Sequence, residues 1–198
     1  MLIEQDALPG SALPMQAMKD HLRLGTGFSD DGMQDGLIEG YLRAALATIE
    51  GRIGKVLIAR RFLMQLSDWR GSTGQAFPVA PVSGIVEVAV INAADLRVTI
   101  APERYRLVPD AHRPKLVAVG GDLPVVPTGG RIEVVFYAGF GSVWTAVPAD
   151  LAQAVMLLAA EYHENRHDTD GRGLGLPLGV QSLIERWRTV RVLGGGSA

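Results

Sequence analysis

Apolar side chains recur at helical spacing in the first third of the chain. Each lies three or four residues after the previous one: Ile38, Leu42, Ala45, Ile49, Ile53 and Val56. This spacing places them on one face of an α-helix, which repeats every ~3.6 residues. The pattern therefore predicts a long helix over about residues 31–58, preceded by a short helix over about residues 15–24.

A second stripe on the same helix contains only small residues. Its members have the same spacing and lie opposite the apolar stripe: Gly36, Gly40, Ala44, Ala47, Gly51 and Gly54. Glycine inside a helix costs about 1 kcal/mol relative to alanine, so this face predicts the close approach of another element. Two partners fit the pattern, a neighbouring helix of the same chain and a second subunit.

The middle of the chain is typical of β-structure. Eight of the eleven prolines lie in residues 78–148, and proline is excluded from helix interiors. Short β-branched or alternating segments lie between these breaks, at residues 85–91, 96–100, 105–108, 115–119 and 131–137. They predict about five strands in an antiparallel arrangement.

Two further helices are predicted after this region. Pro148 and Asp150 suit the first turn of one helix, whose apolar face begins at Leu151. A last helix over about residues 180–190 has three cations near its end and one large aromatic residue: Arg186, Trp187, Arg188 and Arg191. This group is either a solvated helix end or an anchor for an acidic partner surface, since arginine and tryptophan are enriched in interface hot spots.

Together these elements predict an α+β fold, in which a small α-helical body carries an antiparallel β insertion. The body consists of the long N-terminal helix and the two C-terminal helices. The predicted parts are an N-terminal helical part (1–77), the β insertion (78–147), a C-terminal helical part (148–192) and a flexible glycine-rich tail (193–198).

Composition narrows the class of protein. The 198 residues carry a net charge of −2 and include no cysteine. The absence of cysteine excludes a disulfide framework and a thiolate zinc site. The apolar run 154–160 is far shorter than the roughly 20 residues that cross a bilayer, so a soluble, non-secreted protein is expected. Residues 1–51 hold three basic and eight acidic groups, whereas residues 52–70 hold five and one. This polarity favours self-complementary contact, within one molecule or between copies, although two ordinary solvated faces explain it equally well.

One motif suggests an enzyme. Residues 163–167 read H-E-x-x-H, in which His163 and His167 would bind zinc and Glu164 would act as general base. Arg166 lies between the ligands and opposes a bound dication, so a helix end with ordinary histidines is the favoured interpretation. A zinc-dependent hydrolase remains the alternative, whereas the P-loop, G-x-S-x-G and cysteine-nucleophile signatures are absent. No catalytic residue, metal or cofactor is therefore predicted.

Several segments, taken in order, resemble a known family. They are residues 18–23, 37–45, 49–54, Trp69 before 77–82, 136–141, Val147-Pro148, 162–166 and 176–180. Their order and spacing are similar to those of the head-tail connector (adaptor) proteins of long-tailed bacteriophages, which also occur in prophages and gene transfer agents. The family has a Tyr-Glu-Asn-Arg-like run where this chain has Glu164-Asn165-Arg166, but here His163 separates Tyr162 from that run.

The resemblance implies a structural virion protein that is not an enzyme. Such adaptors form a ring, usually dodecameric, that docks under the portal protein, extends the DNA channel and supports a downstream tail-completion or stopper protein. DNA passes through the ring without sequence-specific binding and no membrane is involved. The expected location is the head-tail junction of the virion, after assembly in the bacterial cytoplasm; another virion or tail-completion protein is the structural alternative.

The resemblance also gives the two residue groups an expected role. Arg186, Trp187, Arg188 and Arg191 are expected to contact the portal. The small stripe is expected to contact the neighbouring subunit, because a ring built by rotation joins two unlike faces of each copy.

Overall fold

The helices form one part of the molecule around a shared apolar core. The structure is a computed structural model and describes residues 1–22, 34–165 and 175–188. Within these residues the helices are α1 (Met15–His21), α2 (Asp35–Ile53), α3 (Ala149–Glu164) and α4 (Leu178–Ile184). The apolar stripe of α2 packs against α3, and α3 in turn packs against α4, with Leu42, Leu151 and Val180 fully buried. None of the described helices has the length and apolar character needed to cross a membrane.

The long helix is shorter than the predicted 31–58. It ends at Ile53 because Gly54 adopts a left-handed conformation with φ of 66°, and the Gly54 N–H bonds the carbonyl of Glu50. Glycine is the usual residue at this position because it has no Cβ to clash. The chain after Gly54 leaves the helix and forms isolated bridges at Lys55 and Ile58, while residues 31–33 lie outside the described residues.

The C-terminal helix is also shorter than predicted. α4 ends at Ile184 and is followed by one 3₁₀ turn, Glu185–Trp187, after which Arg188 is extended. The helix that was predicted to begin near Pro148 is confirmed as α3. The short N-terminal helix is confirmed as α1, which ends at His21, and residues 23–24 of the predicted 15–24 lie outside the described residues.

Eight described strands form two antiparallel sheets. In chain order they are β1 (Leu2–Glu4), β2 (Arg60–Leu66), β3 (Gly74–Ala76), β4 (Val82–Ile91), β5 (Arg97–Thr99), β6 (Tyr105–Val108), β7 (Lys115–Ala118) and β8 (Arg131–Ala138). One sheet has the order β1-β2-β8-β4-β5 and the other β3-β7-β6. The α+β fold and the five strands predicted in the middle of the chain are confirmed, and residues 1–77 also contain β1, β2 and β3.

The two sheets enclose a second core. Phe62, Val88, Leu116, Val134 and Phe136 are buried between them, and each such side chain contributes about 1.5–3 kcal/mol to folding. The aromatic rings lie close together, with centroids 5.9 Å apart for Phe62 and Phe136. The β region thus has its own apolar interior beside the helical core.

A buried ion pair joins the helical core to the larger sheet. Glu50 on α2 and Arg60 at the start of β2 are 11% and 9% exposed, and a carboxylate oxygen of Glu50 lies 2.7 Å from Nη2 of Arg60. The other Glu50 oxygen accepts the backbone N–H of Leu57 at 2.7 Å. Because both groups are largely desolvated, this contact fixes how the end of α2 meets the sheet.

Gly139 closes the end of β8 against the start of β2, and its replacement by alanine is expected to destabilise the fold. Its φ is 134°, and a Cβ at this position would lie 2.4 Å from the backbone N and Cα of Ala59. We expect Gly139→Ala to lower the free energy of unfolding by about 3 kcal/mol or more, and the melting temperature by roughly 6–12 °C. Gly84→Ala in β4 is the matched control, because no described atom lies within 4 Å of its Cβ position. Equal shifts for the two variants in thermal unfolding would contradict this account of Gly139.

Candidate functional site

The small stripe of α2 faces outwards. Gly36, Gly40, Ala44, Ala47 and Gly51 are all exposed, and no described atom lies within 4 Å of a Cβ built at any of the three glycines. Gly54 also has open space around it, but it terminates the helix rather than extending the stripe. Among the described residues, no helix of the same chain therefore covers this face.

The stripe has an apolar border and a rigid support. Leu37, beside Gly36, is 48% exposed, so the surface combines small residues with one large apolar side chain. Behind it, α2 is held to α3 by the apolar core and by a 3.1 Å hydrogen bond between the hydroxyls of Thr48 and Tyr162. A partner helix or loop could approach the backbone of α2 here without displacing any described side chain.

The C-terminal group lies against the first turn of α3. The indole Nε1–H of Trp187 donates to Oδ2 of Asp150 at 2.7 Å, and Nε of Arg186 lies 2.7 Å from the same oxygen. The Trp187 ring packs edge-on against Phe140 with centroids 5.4 Å apart, and the Arg186 guanidinium lies over the Trp187 ring, 4.9 Å from its centroid. Trp187 is consequently half-buried in its own chain, whereas Arg186 and Arg188 are exposed; Arg191 lies outside the described residues.

Electrostatics keep the Asp150 carboxylate charged. Burial alone would raise its pKa, but the hydrogen bonds from Trp187 and the Leu151 N–H, together with the charge of Arg186, hold the pKa below its usual value. Asp150 also lies at the positive end of the α3 dipole, which favours a negative charge. The sequence predicts Asp150 only as a residue of the first helical turn. Its contact with Trp187 was not predicted.

A cavity of about 140 Å³ lies beside this group, between the end of α2 and α4. Leu176 and Ile184 supply apolar walls, and Arg52, Gln181 and Arg188 supply polar ones. Arg188 is also 3.2 Å from the carboxylate of Glu185. Arg52, the neighbour of Gly51 in the small stripe, and Arg188 thus line the same cavity.

The acidic and basic segments at the start of the chain contact each other within one molecule. Arg60 pairs with Glu4 at 2.8 Å as well as with Glu50, and Arg61 lies 3.1 Å from Asp6. The charge polarity seen in the sequence is therefore used in part to attach β1 and α2 to β2. Of the two forms of self-complementary contact, the intramolecular one is present.

A polar network lies on the outer face of the larger sheet and was not predicted from the sequence. Arg97 on β5 contacts Glu87 on β4 at 2.8 Å and Glu133 on β8 at 2.5 Å, and Arg131 contacts Glu133 at 3.1 Å. Burial opposes the charge of Glu133, but the bonds from the two arginines and Gln65 hold its pKa below the usual value. Arg97 and Glu133 are 36 positions apart, and strand pairing brings them together.

The buried contact of Lys55 was also not predicted from the sequence, because its partners lie in a distant turn. Its side chain is 1% exposed, and its ammonium donates to the carbonyl of Ala111 and contacts Nδ1 of His112 at 3.1 Å. Burial lowers the pKa of Lys55, and the nearby Asp110 carboxylate partly offsets that effect. The contact attaches the turn between β6 and β7 to the end of α2, so His112 has a structural partner.

Only the first part of the H-E-x-x-H motif lies within the described residues. His163 and Glu164 lie in the last turn of α3, and the His163 ring packs edge-on against Tyr41 with centroids 5.9 Å apart. His167 lies outside the described residues. Glu185, an acid distant in sequence that could in principle supply a third ligand, pairs with Arg188. The described part of the chain contains no group of three or more potential metal ligands.

No family model and no curated protein matches the chain. Solved structures do match it. The chain is 53% identical to a chain from the neck of an empty gene transfer agent (GTA) particle computed with C6 symmetry, with a TM-score of 0.90. It is 53% identical to a chain from the virion of a native GTA particle, with a TM-score of 0.86. It is 49% identical to a chain from the neck of a native GTA particle computed with C12 symmetry, with a TM-score of 0.85.

Each match covers 98% of this chain and 98% of the other. Identity near one half over the whole of both chains leaves no large insertion or missing domain to separate them. The chain belongs to the family of gene transfer agent particle neck proteins.

Proposed function

We propose that the chain is the head-tail adaptor of a gene transfer agent particle. In this role it forms a ring that docks on the portal protein, extends the DNA channel and supports tail attachment. The observation that carries the proposal is the full-length similarity to chains of GTA necks. The coarser part follows directly from family membership: the chain is a structural component of the particle, located in the neck of the virion.

Symmetry supports a ring of twelve copies. A ring that obeys twelvefold rotation contains twelve copies or a multiple of twelve, and it also obeys sixfold rotation. Both symmetries were used for necks that contain relatives of this chain. A dodecamer is the smallest homomeric ring compatible with both.

The small stripe of α2 is the proposed contact between neighbouring subunits. Rotational rings need two unlike faces on each copy, and this face is exposed, backed by the helical core and bordered by Leu37. Glycines at Gly36, Gly40 and Gly51 would let a neighbouring backbone come close to α2. That contact would offset the helix propensity lost at these positions.

The C-terminal group is the proposed contact with the portal. Arg186 and Arg188 are exposed cations at the point where the last residues of the chain begin, and Arg191 follows in the sequence. Trp187 contributes by holding this point against α3. A tail-completion or stopper protein would then bind the opposite side of the ring, and DNA would pass through the centre without sequence-specific contacts.

The proposed role needs no enzyme activity, metal or cofactor. The similarity to neck proteins favours a structural role over a zinc-dependent hydrolase, because it accounts for the whole chain rather than for five residues. Assembly in the bacterial cytoplasm before incorporation into the particle completes the proposal.

The proposal is tested by mixing the purified full-length chain with the purified portal protein of the same particle. We expect twelve copies of the chain bound per portal ring, measured as the mass of the complex in solution. The adaptor role would be contradicted if no complex formed, or if the number of bound copies were too small to close a ring.

A further inference from the structure

A compact side-chain cluster holds the last described turn of the chain. We call it the Trp187 clasp, and it consists of Asp150, Trp187, Arg186 and Phe140. One carboxylate oxygen of Asp150 receives both the indole N–H and the Arg186 guanidinium, each at 2.7 Å. The second oxygen accepts the Leu151 backbone N–H at 3.0 Å, so both oxygens of Asp150 have partners in the protein.

The main chain alone holds this turn weakly. Residues 185–187 form a single 3₁₀ turn, whose hydrogen bond from Arg188 N–H to the Glu185 carbonyl is 3.2 Å long. The turn continues directly from α4, but 3₁₀ turns have poorer hydrogen-bond geometry than α-helices. The side-chain contacts of Trp187 therefore help to fix where this turn lies relative to α3.

Asp150 is suited to fix the turn because it is itself fixed. It lies in the first turn of α3, next to the fully buried Leu151. Its side chain is 19% exposed, compared with 70% for Arg186. A charge-assisted hydrogen bond to a rigid, half-buried carboxylate orients the donor more strictly than an exposed ion pair does.

We propose that Asp150 is a positioning residue for portal docking. Through the Trp187 clasp it sets the point and direction in which the C-terminal residues leave the body. This inference rests on the proposed adaptor function, in which those residues contact the portal. Its structural part, the fixing of residues 185–188 by Asp150, can be measured on the free chain.

The test uses two conservative variants of the full chain and their combination. Asp150→Asn keeps the size of the side chain but has one acceptor oxygen for three donors. Trp187→Phe keeps an aromatic ring against Phe140 but lacks the N–H. Asp122→Asn is the matched control, because Asp122 is an exposed carboxylate in the loop between β7 and β8.

Two readouts separate positioning from general stability. Hydrogen exchange of the free chain, read by mass spectrometry over residues 176–188, is expected to quicken about tenfold in each variant, with unchanged exchange in α2 and β8. Affinity for the purified portal is expected to fall about tenfold in each single variant. The double variant should bind no more weakly than the weaker single one, because both changes break the same contact.

The outcomes are decisive in either direction. Faster exchange with unchanged portal affinity would overturn the positioning role, as would additive losses in the double variant. Unchanged exchange in Asp150→Asn would show that the clasp does not fix the turn. Absence of portal binding by the unmodified chain would instead overturn the proposed function, and the exchange data would still report on the clasp by itself.

Discussion

Gly40→Leu is expected to leave the chain folded and to prevent it from forming a ring. No described atom lies within 4 Å of the Cβ position of Gly40, so the larger side chain has room in the monomer. Leucine also has a higher helix propensity, worth up to about 1 kcal/mol, and the melting temperature should stay the same or rise by roughly 2–4 °C. Within a ring, the same side chain would separate two closely packed backbones. The check is thermal unfolding together with the mass of the portal complex.

Two further variants make this result specific to the small stripe. Gly40→Ala adds a single methyl group and should weaken ring formation less than leucine does. Gln153→Leu adds an apolar side chain at an exposed position of α3 and should leave ring formation intact. A complete ring of Gly40→Leu chains on the portal would remove the small stripe from the subunit contact.

Deletion of residues 180–198 is expected to abolish portal binding. It removes Arg186, Trp187, Arg188 and Arg191, the group that we assign to the portal contact. It also removes Val180 and Ile184, which are buried in the helical core and together contribute roughly 3–6 kcal/mol. The loss of binding must therefore be separated from a loss of folding.

A substitution variant makes that separation. Replacing Arg186, Arg188 and Arg191 with glutamine retains α4 and the buried side chains, and we expect its portal affinity to fall at least a hundredfold with a nearly unchanged melting temperature. A shorter deletion of residues 189–198 retains the Trp187 clasp and should give an intermediate loss. Full portal affinity in the triple variant would refute the assignment of these arginines.

Local sequence patterns predicted the elements whose signals are strong and continuous. The apolar stripe from Ile38 to Ile53 defined α2, and the Pro148 and Asp150 pair marked the start of α3. The end of α2 was predicted too late because Val56 continues the helical spacing. The left-handed conformation of Gly54 overrides that spacing, and Val56 joins the core between the sheets instead.

Strands that depend on distant partners were harder to predict. β2 directs Phe62, Met64 and Leu66 towards the core, but Leu63 interrupts a simple alternation of apolar and polar positions. β1 and β3 contain three residues each, which is too short for any periodicity to appear. Their positions follow from pairing with β2 and β7, which is information that no local window contains.

The same difference between local patterns and distant contacts applies to the candidate site. The small stripe could be predicted because its residues share one helix face. The Trp187 clasp could not, because Asp150 and Trp187 are separated by 37 positions and meet only after α4 packs on α3. The charge polarity of the first 70 residues was visible in the sequence, but only the structure shows Arg60 and Arg61 pairing with Glu4 and Asp6 in the same molecule.

The copy number of the chain on the portal ring tests the central claim most directly. The measurement is the mass of the complex formed from the purified full-length chain and the purified portal protein, with each protein alone as reference. The adaptor account predicts a closed ring of twelve copies per portal. No binding, or a few copies bound independently without closing a ring, would contradict it.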